Sequence, residues 1–188
     1  MTIKLGTRTS NLALWQAERI ADLLGEARPE TEVEIIGMKT VGDRILDKSV
    51  PEIGGKGLFT EELEQGLLAE EIDLAVHSLK DLPTQLPEGL IYAGSPARAN
   101  PTDAFVSLKW DALAEVPDDG VIATGSRRRQ AQVAQQLPNV QFEDLRGNIG
   151  TRLDKLREND WDGIIMATAA LERLDQRDLI TEQLDPTQ

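Results

Sequence analysis

Thr2-Ile3-Lys4-Leu5-Gly6, the turn Thr7-Arg8-Thr9-Ser10 and the run Asn11 to Ala27 form a strand, a turn and a helix in succession. Thr2 to Gly6 alternates as a half-buried strand does, and Asn11 to Ala27 repeats its apolar residues at helical spacing. Working outward, Val33 to Met38 reads as a strand, Leu58 to Ala69 as a helix and Ile72 to Val76 as a short buried strand. A second series follows. Ala104 to Ser107, Val121 to Thr124, Val140 to Leu145 and Gly163 to Ala167 read as strands, and Arg127 to Leu137, Ile149 to Glu158 and Ala169 to Leu174 as helices. This alternation predicts an α/β fold with mixed, mostly parallel sheets flanked by helices. Ser95 to Thr102, with Pro96, Asn100 and Pro101, is rich in turn residues and marks a boundary between two lobes, expected at 1–98 and 99–188. Two lobes make a cleft. Val41 to Gly57 has no clean period and carries Gly42, Gly54, Gly55 and Gly57 around Lys56. Composition alone favours an ordinary connecting loop there, although the same glycines suit a loop that closes over a ligand.

The 188 residues suffice for one large or two small domains with a real core. The formal charge is −13, and the acidic excess is spread over both halves. A protein that tracks a nucleic-acid backbone needs a broad basic face, and aromatic residues, at 4%, offer few stacking platforms, so nucleic acid is not an expected partner. Cysteine is absent, which excludes disulfides, thiol nucleophiles and thioether-held groups within this chain. With a single histidine, no metal site is expected. No run approaches the length of a membrane span and no leader peptide is visible, so a cytoplasmic location without membrane attachment is the default expectation. Arginine outnumbers lysine 13 to 7, which suits forked recognition of carboxylates or phosphates as well as a simple compositional bias.

The sharpest local signal is repeated at strand-to-helix turns. Gly6-Thr7-Arg8-Thr9-Ser10 precedes one helix, and Thr124-Gly125-Ser126-Arg127-Arg128-Arg129 begins another. In parallel α/β lobes these turns lie at the carboxyl ends of strands, where ligands bind and helix N-termini favour anions. Arginines in a helix's first turn oppose its dipole, a cost that a bound anion offsets; solvated side chains are the competing reading. Leu145-Arg146-Gly147-Asn148-Ile149-Gly150-Thr151-Arg152 is a third basic turn, in which Arg146 and Arg152 can each grip a carboxylate bidentately. Together with Lys56 and Lys80, these cations predict a small polyanionic ligand. His77-Ser78-Leu79-Lys80-Asp81 follows an apolar strand; Asp81 suits an acid, a base or a stabiliser of a cation, and equally a cap for the turn before Pro83. His77 reads more readily as a scaffold histidine than as a catalyst.

Taken together, these strings resemble porphobilinogen deaminase, also called hydroxymethylbilane synthase. The resemblance rests on Thr7 to Ala17, Gly54-Gly55-Lys56-Gly57-Leu58-Phe59, Ala75 to Pro83, Asp103-Ala104-Phe105-Val106 and Leu145 to Leu153, which match the family in order and spacing. It implies two lobes similar to type II periplasmic binding proteins with the active site between them. It further implies a soluble transferase of tetrapyrrole (haem) biosynthesis that deaminates porphobilinogen and joins four units into a linear hydroxymethylbilane. By position, Asp81 would be the catalytic carboxylate that stabilises the cationic azafulvene left when ammonia departs. Arg8, Lys80, Arg128, Arg129, Arg146 and Arg152 would bind acetate and propionate carboxylates, and Arg173 would be a further matched cation. Ser10, Ser78, Ser126 and Asn148 would supply polar contacts, and Lys56 falls on the family's mobile loop.

Some positions depart from the family pattern. Thr124-Gly125-Ser126-Arg127-Arg128-Arg129 stands where the family usually reads Thr-Ser-Ser-Leu-Arg-Arg, and Ala170 stands where it usually has glycine. Relatives continue past the position of Gln188 with a strand that returns to the first lobe and a third domain whose cysteine carries a covalent dipyrromethane cofactor. The expectation is therefore a porphobilinogen deaminase lacking its C-terminal part and inactive alone, either a truncated form or one half of a split enzyme that a separate C-terminal segment completes. The alternative is a noncatalytic module that binds porphobilinogen or linear pyrroles through their carboxylates.

Overall fold

In the computed structural model, residues 1–40, 42 and 59–185 are described. The expected loop at 41–57, and Lys56 with it, therefore lies outside the described residues apart from Gly42. The chain divides into two units, Met1–Ser95 and Pro96–Gln188.

The first unit is built on β1 (Thr2–Arg8), α1 (Asn11–Ala27), β2 (Glu32–Met38), α2 (Glu61–Leu68) and β3 (Leu74–Ala75). Its sheet runs β2-β1-β3, with both neighbours parallel to β1. The central place of β1 explains why Leu5 and Thr7 are fully buried while its first residues are open to water. Leu63 of α2, Ala17 of α1 and Ile72 complete this core. Gly6 is required by close approach, because a Cβ there would collide with the Ile72 side chain. The helix α1 starts where Ser10 leaves extended backbone and its hydroxyl accepts the Ala13 N–H at 3.3 Å.

The apolar run Ile72–Val76 pairs only through Leu74 and Ala75, so the expected buried strand is shorter and less covered than its composition implies. Among the described residues β3 has one strand neighbour, and its other edge is left without a ladder. Ile91 and Tyr92 lie in a stretch without regular structure and are 87% and 52% exposed.

The second unit contains β4 (Asp103–Val106), β5 (Val121–Ala123), α3 (Arg127–Gln136), β6 (Gln141–Glu143), α4 (Ile149–Glu158), β7 (Gly163–Ala167), α5 (Thr168–Arg173) and β8 (Glu182–Gln183). The strand order is β6-β5-β7-β4-β8; β5 is parallel to β6 and β7, whereas β4 is antiparallel to β7 and β8. The mixed sheet matches the expected class, and β8, two residues long, is an element the apolar pattern does not announce.

Alternation along β4 and β7 builds a core on each face of this sheet. Ala104, Val106, Ile164 and Met166 meet Leu153 and Leu156 of α4 and Leu171 of α5 on one face. Phe105 and Ile165 meet Val133 of α3, with Leu113 and Val116, on the other. A sheet covered on both sides reads as continuous apolar runs, which is why these strands are legible in sequence. Asp162, just before β7, accepts the Trp110 indole N–H and the Val121 backbone N–H, each at 2.8 Å, and so ties β5 to β7.

Candidate functional site

Helix α3 begins at Arg127 with Ser126 as its cap, and its first turn presents three adjacent arginines to the positive end of the helix dipole. The structure supplies a compensating charge from β4. Asp103 Oδ1 lies 2.6 Å from Arg129 Nη2, and its Oδ2 lies 2.6 Å from Arg128 Nη2. The second Nη of each arginine is also engaged: that of Arg129 donates to the Ile165 carbonyl oxygen at 3.1 Å, and that of Arg128 to Gln132 Oε1 at 2.5 Å. The Arg129 side chain is 12% exposed and that of Arg128 60% exposed. Burial alone would push the Asp103 carboxyl up, but the hydrogen bonds and charges of Arg129 and Arg128 hold it below the usual carboxylate range.

Arg146 and Arg152 flank the N-terminus of α4. Asn148 caps that helix by accepting the Thr151 N–H at 2.9 Å, and Gly147 takes a positive φ of 111° that a side chain would strain. Arg152 Nε donates to the Gly147 carbonyl oxygen at 2.8 Å, which leaves its two Nη groups for other acceptors. Burial, followed by the charges of Arg129 and Arg146, holds Arg152 below the ordinary arginine range, with Asp144 acting the other way. Arg146 Nη1 and Arg129 Nε are buried and have no hydrogen-bond partner among the described residues. The turn after β5 lies against the turn after β6, since a Cβ on Gly125 would stand 3.0 Å from Asp144 Oδ1 and from the Leu145 carbonyl oxygen. Three guanidiniums held close, with orphaned buried donors, form an arrangement that an anion stabilises.

In the first unit, Arg8 ends β1 and its guanidinium lies 4.3 Å from the centre of the Phe59 ring. Lys80 and Asp81 lie in a single 3-10 turn, Leu79–Asp81, after β3. Desolvation is the main reason the His77 imidazole is held below its ordinary pKa; Asp81 and Glu64 act to raise it and Arg8 to lower it. His77 is therefore electrostatically coupled to both Arg8 and Asp81, which brings the two expected first-lobe site residues into one neighbourhood. The Ser78 hydroxyl and the Gln16 side-chain amide are joined by hydrogen bonds of 3.0 and 3.1 Å.

Among the described residues, the expected site residues divide into those with donors left over and those already committed. Ser10, Ser126 and Asn148 give their side-chain oxygens to backbone N–H groups as caps, the Ser126 bond being long at 3.5 Å. Arg128 and Arg129 have both Nη groups engaged within the unit, so the bidentate grip available in principle to any arginine is spent on Asp103, Ile165 and Gln132. Among the described residues, Arg146 and Arg152 keep donors without a partner. Arg173 closes α5 and has its own interactions. Asp103 and Gln16 were not among the expected site residues. Their motifs were visible, but contacts 26 and 62 residues apart in sequence follow from strand order and helix placement, not from local pattern. Among the described residues, no group of three His, Asp or Glu side chains is placed to hold a metal ion.

Known proteins resemble this chain at two levels. At the level of fold, a probable amino-acid ABC transporter extracellular-binding protein from Bacillus subtilis covers 98% of the chain and 78% of its own with a TM-score of 0.57 at 11% identity. A periplasmic substrate-binding protein of an ABC transporter from Coxiella burnetii covers 99% and 80%, with a TM-score of 0.54 at 12% identity. These bear out the periplasmic-binding-protein-like fold. At the level of sequence, porphobilinogen deaminase of Syntrophomonas wolfei is 48% identical over 182 residues, 97% of this chain and 60% of that protein. The enzyme of Thiobacillus denitrificans is 50% identical over 92% of this chain and 56% of its own, and that of Neisseria meningitidis serogroup B 50% over 90% and 55%. The chain thus spans between half and two thirds of the length of these relatives. The family model described as porphobilinogen deaminase, dipyromethane cofactor binding domain, matches residues 3–188. With that match across nearly its whole length, the chain belongs to the porphobilinogen deaminase family.

Proposed function

We propose that this chain binds pyrroles through their carboxylates and carries the catalytic carboxylate of a porphobilinogen deaminase. The observation that carries the reading is the pair of buried, unpartnered guanidinium nitrogens, Arg146 Nη1 and Arg129 Nε, beside the two free Nη groups of Arg152. A chain of formal charge −13 in which Arg129 and Arg146 act electrostatically on Arg152 gains most from a ligand rich in carboxylates. Lys80 and Arg8 are the further donors proposed in the first unit, where the Ser78 hydroxyl already donates to Gln16, and Lys56 and Arg173 are proposed for the same role on sequence alone.

The reaction breaks the bond between the aminomethyl carbon and nitrogen of porphobilinogen, with ammonia leaving and the pyrrole nitrogen feeding electrons into the ring. The carbon so exposed is attacked by the free α-carbon of the next pyrrole, which then loses its proton. Positive charge spreads over the ring in the first step, and Asp81 is the group proposed to accept the pyrrole N–H and stabilise that charge. The dipyrromethane cofactor of the family supplies a two-pyrrole primer on which the product grows. Its carboxylates fit the donors of Arg146 and Arg152, whereas its thioether has no cysteine to form on within these 188 residues. Turnover is therefore proposed to need a cysteine-bearing segment outside these 188 residues.

The experiment is porphobilinogen consumption and ammonia release by this chain, alone and mixed with the C-terminal segment of a full-length relative. Turnover in the mixture alone is the expected result. Association of the two segments without turnover would overturn the enzymatic reading. The absence of cysteine would then favour a module that holds pyrrole carboxylates without chemistry.

A further inference from the structure

Asp103 pairs with two adjacent arginines, Arg128 and Arg129, the second of which belongs to the guanidinium group described above. It heads β4, opposite Ala167 of β7, and reaches the first turn of α3 with one oxygen on Arg129 and the other on Arg128. Its side chain is only 13% exposed. Arg129 is held on a second side by the Ile165 carbonyl oxygen of β7, so its guanidinium plane is fixed by β4 and β7 together and its buried, unpartnered Nε has a set direction. Arg128, by contrast, is drawn between Asp103 and Gln132 of its own helix. Without the carboxylate, neighbouring guanidiniums would repel one another and the helix dipole, and each would be free to follow any anion that arrived.

We propose that Asp103 is a positioning residue for the arginine site: it pins Arg129 and keeps Arg128 occupied, so that the donors left over select a shaped carboxylate ligand against simple anions. The inference rests on the reading that this site takes pyrrole carboxylates, but its charge argument does not. Two consequences follow. Removing the Asp103 charge strengthens binding of any small anion, because more positive charge is unopposed. It also weakens discrimination, because the guanidiniums lose their fixed directions.

The test is equilibrium binding of inorganic phosphate and of porphobilinogen to this chain and to Asp103→Asn and Asp103→Glu, with thermal melts to establish that each variant folds. Phosphate is expected to bind about five-fold more tightly to Asp103→Asn, with a steeper salt dependence. The ratio of porphobilinogen to phosphate affinity is expected to fall about ten-fold. In Asp103→Glu the charge is kept and displaced by a methylene, so phosphate affinity returns to within about two-fold of the starting protein while the ratio stays lowered. Unchanged phosphate affinity in a folded Asp103→Asn overturns the proposal whether or not porphobilinogen binds. Failure of the starting protein to bind porphobilinogen, with the phosphate effect present, overturns the pyrrole reading and leaves the role of Asp103 standing. Should the asparagine variant not fold, an unchanged ratio in Asp103→Glu overturns the proposal.

Discussion

Asp81 and His77 lie four positions apart around the turn that follows β3, and the chain has no other histidine, so one imidazole reports on the proposed catalytic carboxylate. Burial holds His77 below the ordinary imidazole range, while the charge of Asp81 acts to raise it. Replacing Asp81 by asparagine removes the raising influence, so the His77 titration, followed by its ring-proton resonances, is expected to move to still lower pH. In the enzyme reconstituted with a C-terminal segment, the same Asp81→Asn change is expected to cut turnover by at least about a hundred-fold. Porphobilinogen binding should stay close to that of the unaltered protein, because the carboxylate grip proposed above rests on guanidinium and ammonium groups and not on Asp81. A downward histidine shift with undiminished turnover would place Asp81 near His77 and remove it from the chemistry.

At the scale of elements, the helices were the most legible part of the chain because their signals are local. The span of α1 follows from an apolar period that begins directly after Ser10, whose hydroxyl is the cap, and α4 begins in the same way after Asn148. The strand Ile72–Val76 was overread, since its apolar composition says that it is covered and not how many neighbours pair with it. The helix ends carry information that sequence pattern did not use. Glu70, just past α2, has a φ of 58°, and Asp175, just past α5, has a φ of 54°, positions where helices commonly end on glycine. Glu70→Gly is expected to raise stability by about 0.5–1 kcal/mol, by relieving a left-handed backbone that a glutamate tolerates poorly. Asp175→Gly is expected to gain less, because aspartate adopts this conformation more readily. Denaturant melts of the single variants check the order, and an equal or larger gain at Asp175 would contradict the argument.

For the molecule as a whole, the basic turns and the run from His77 to Asp81 were visible in sequence, but the carboxylate that restrains the arginines was not. Asp103 acquires its role only when β4 lies antiparallel to β7 and brings it across to α3, a placement no local pattern encodes. The same folding gives the two units different responses to acid. In the first unit, half-buried His77 has its pKa lowered from 6.5, so the unfolded chain takes up its proton first; the stability tied to a neutral imidazole is present above 6.5 and is lost as pH falls through the lower folded value. In the second unit, Asp103 and Asp162 are held below 3.8 against the effect of burial, the first by Arg129 and Arg128, the second by Trp110, the Val121 N–H and Lys109. Their contribution is intact above 3.8 and is lost only as pH falls through their folded values. Hydrogen exchange measured from pH 7 to pH 3 should therefore show α1 and the strands of the first unit losing protection in mildly acidic solution, while β4, β5 and β7 keep theirs until the carboxylates protonate. Replacing Asp162 by alanine should advance the second loss and leave the first in place. Simultaneous loss of protection in both units at a single pH would show that they unfold as one cooperative body and that His77 does not set the acid limit of the first.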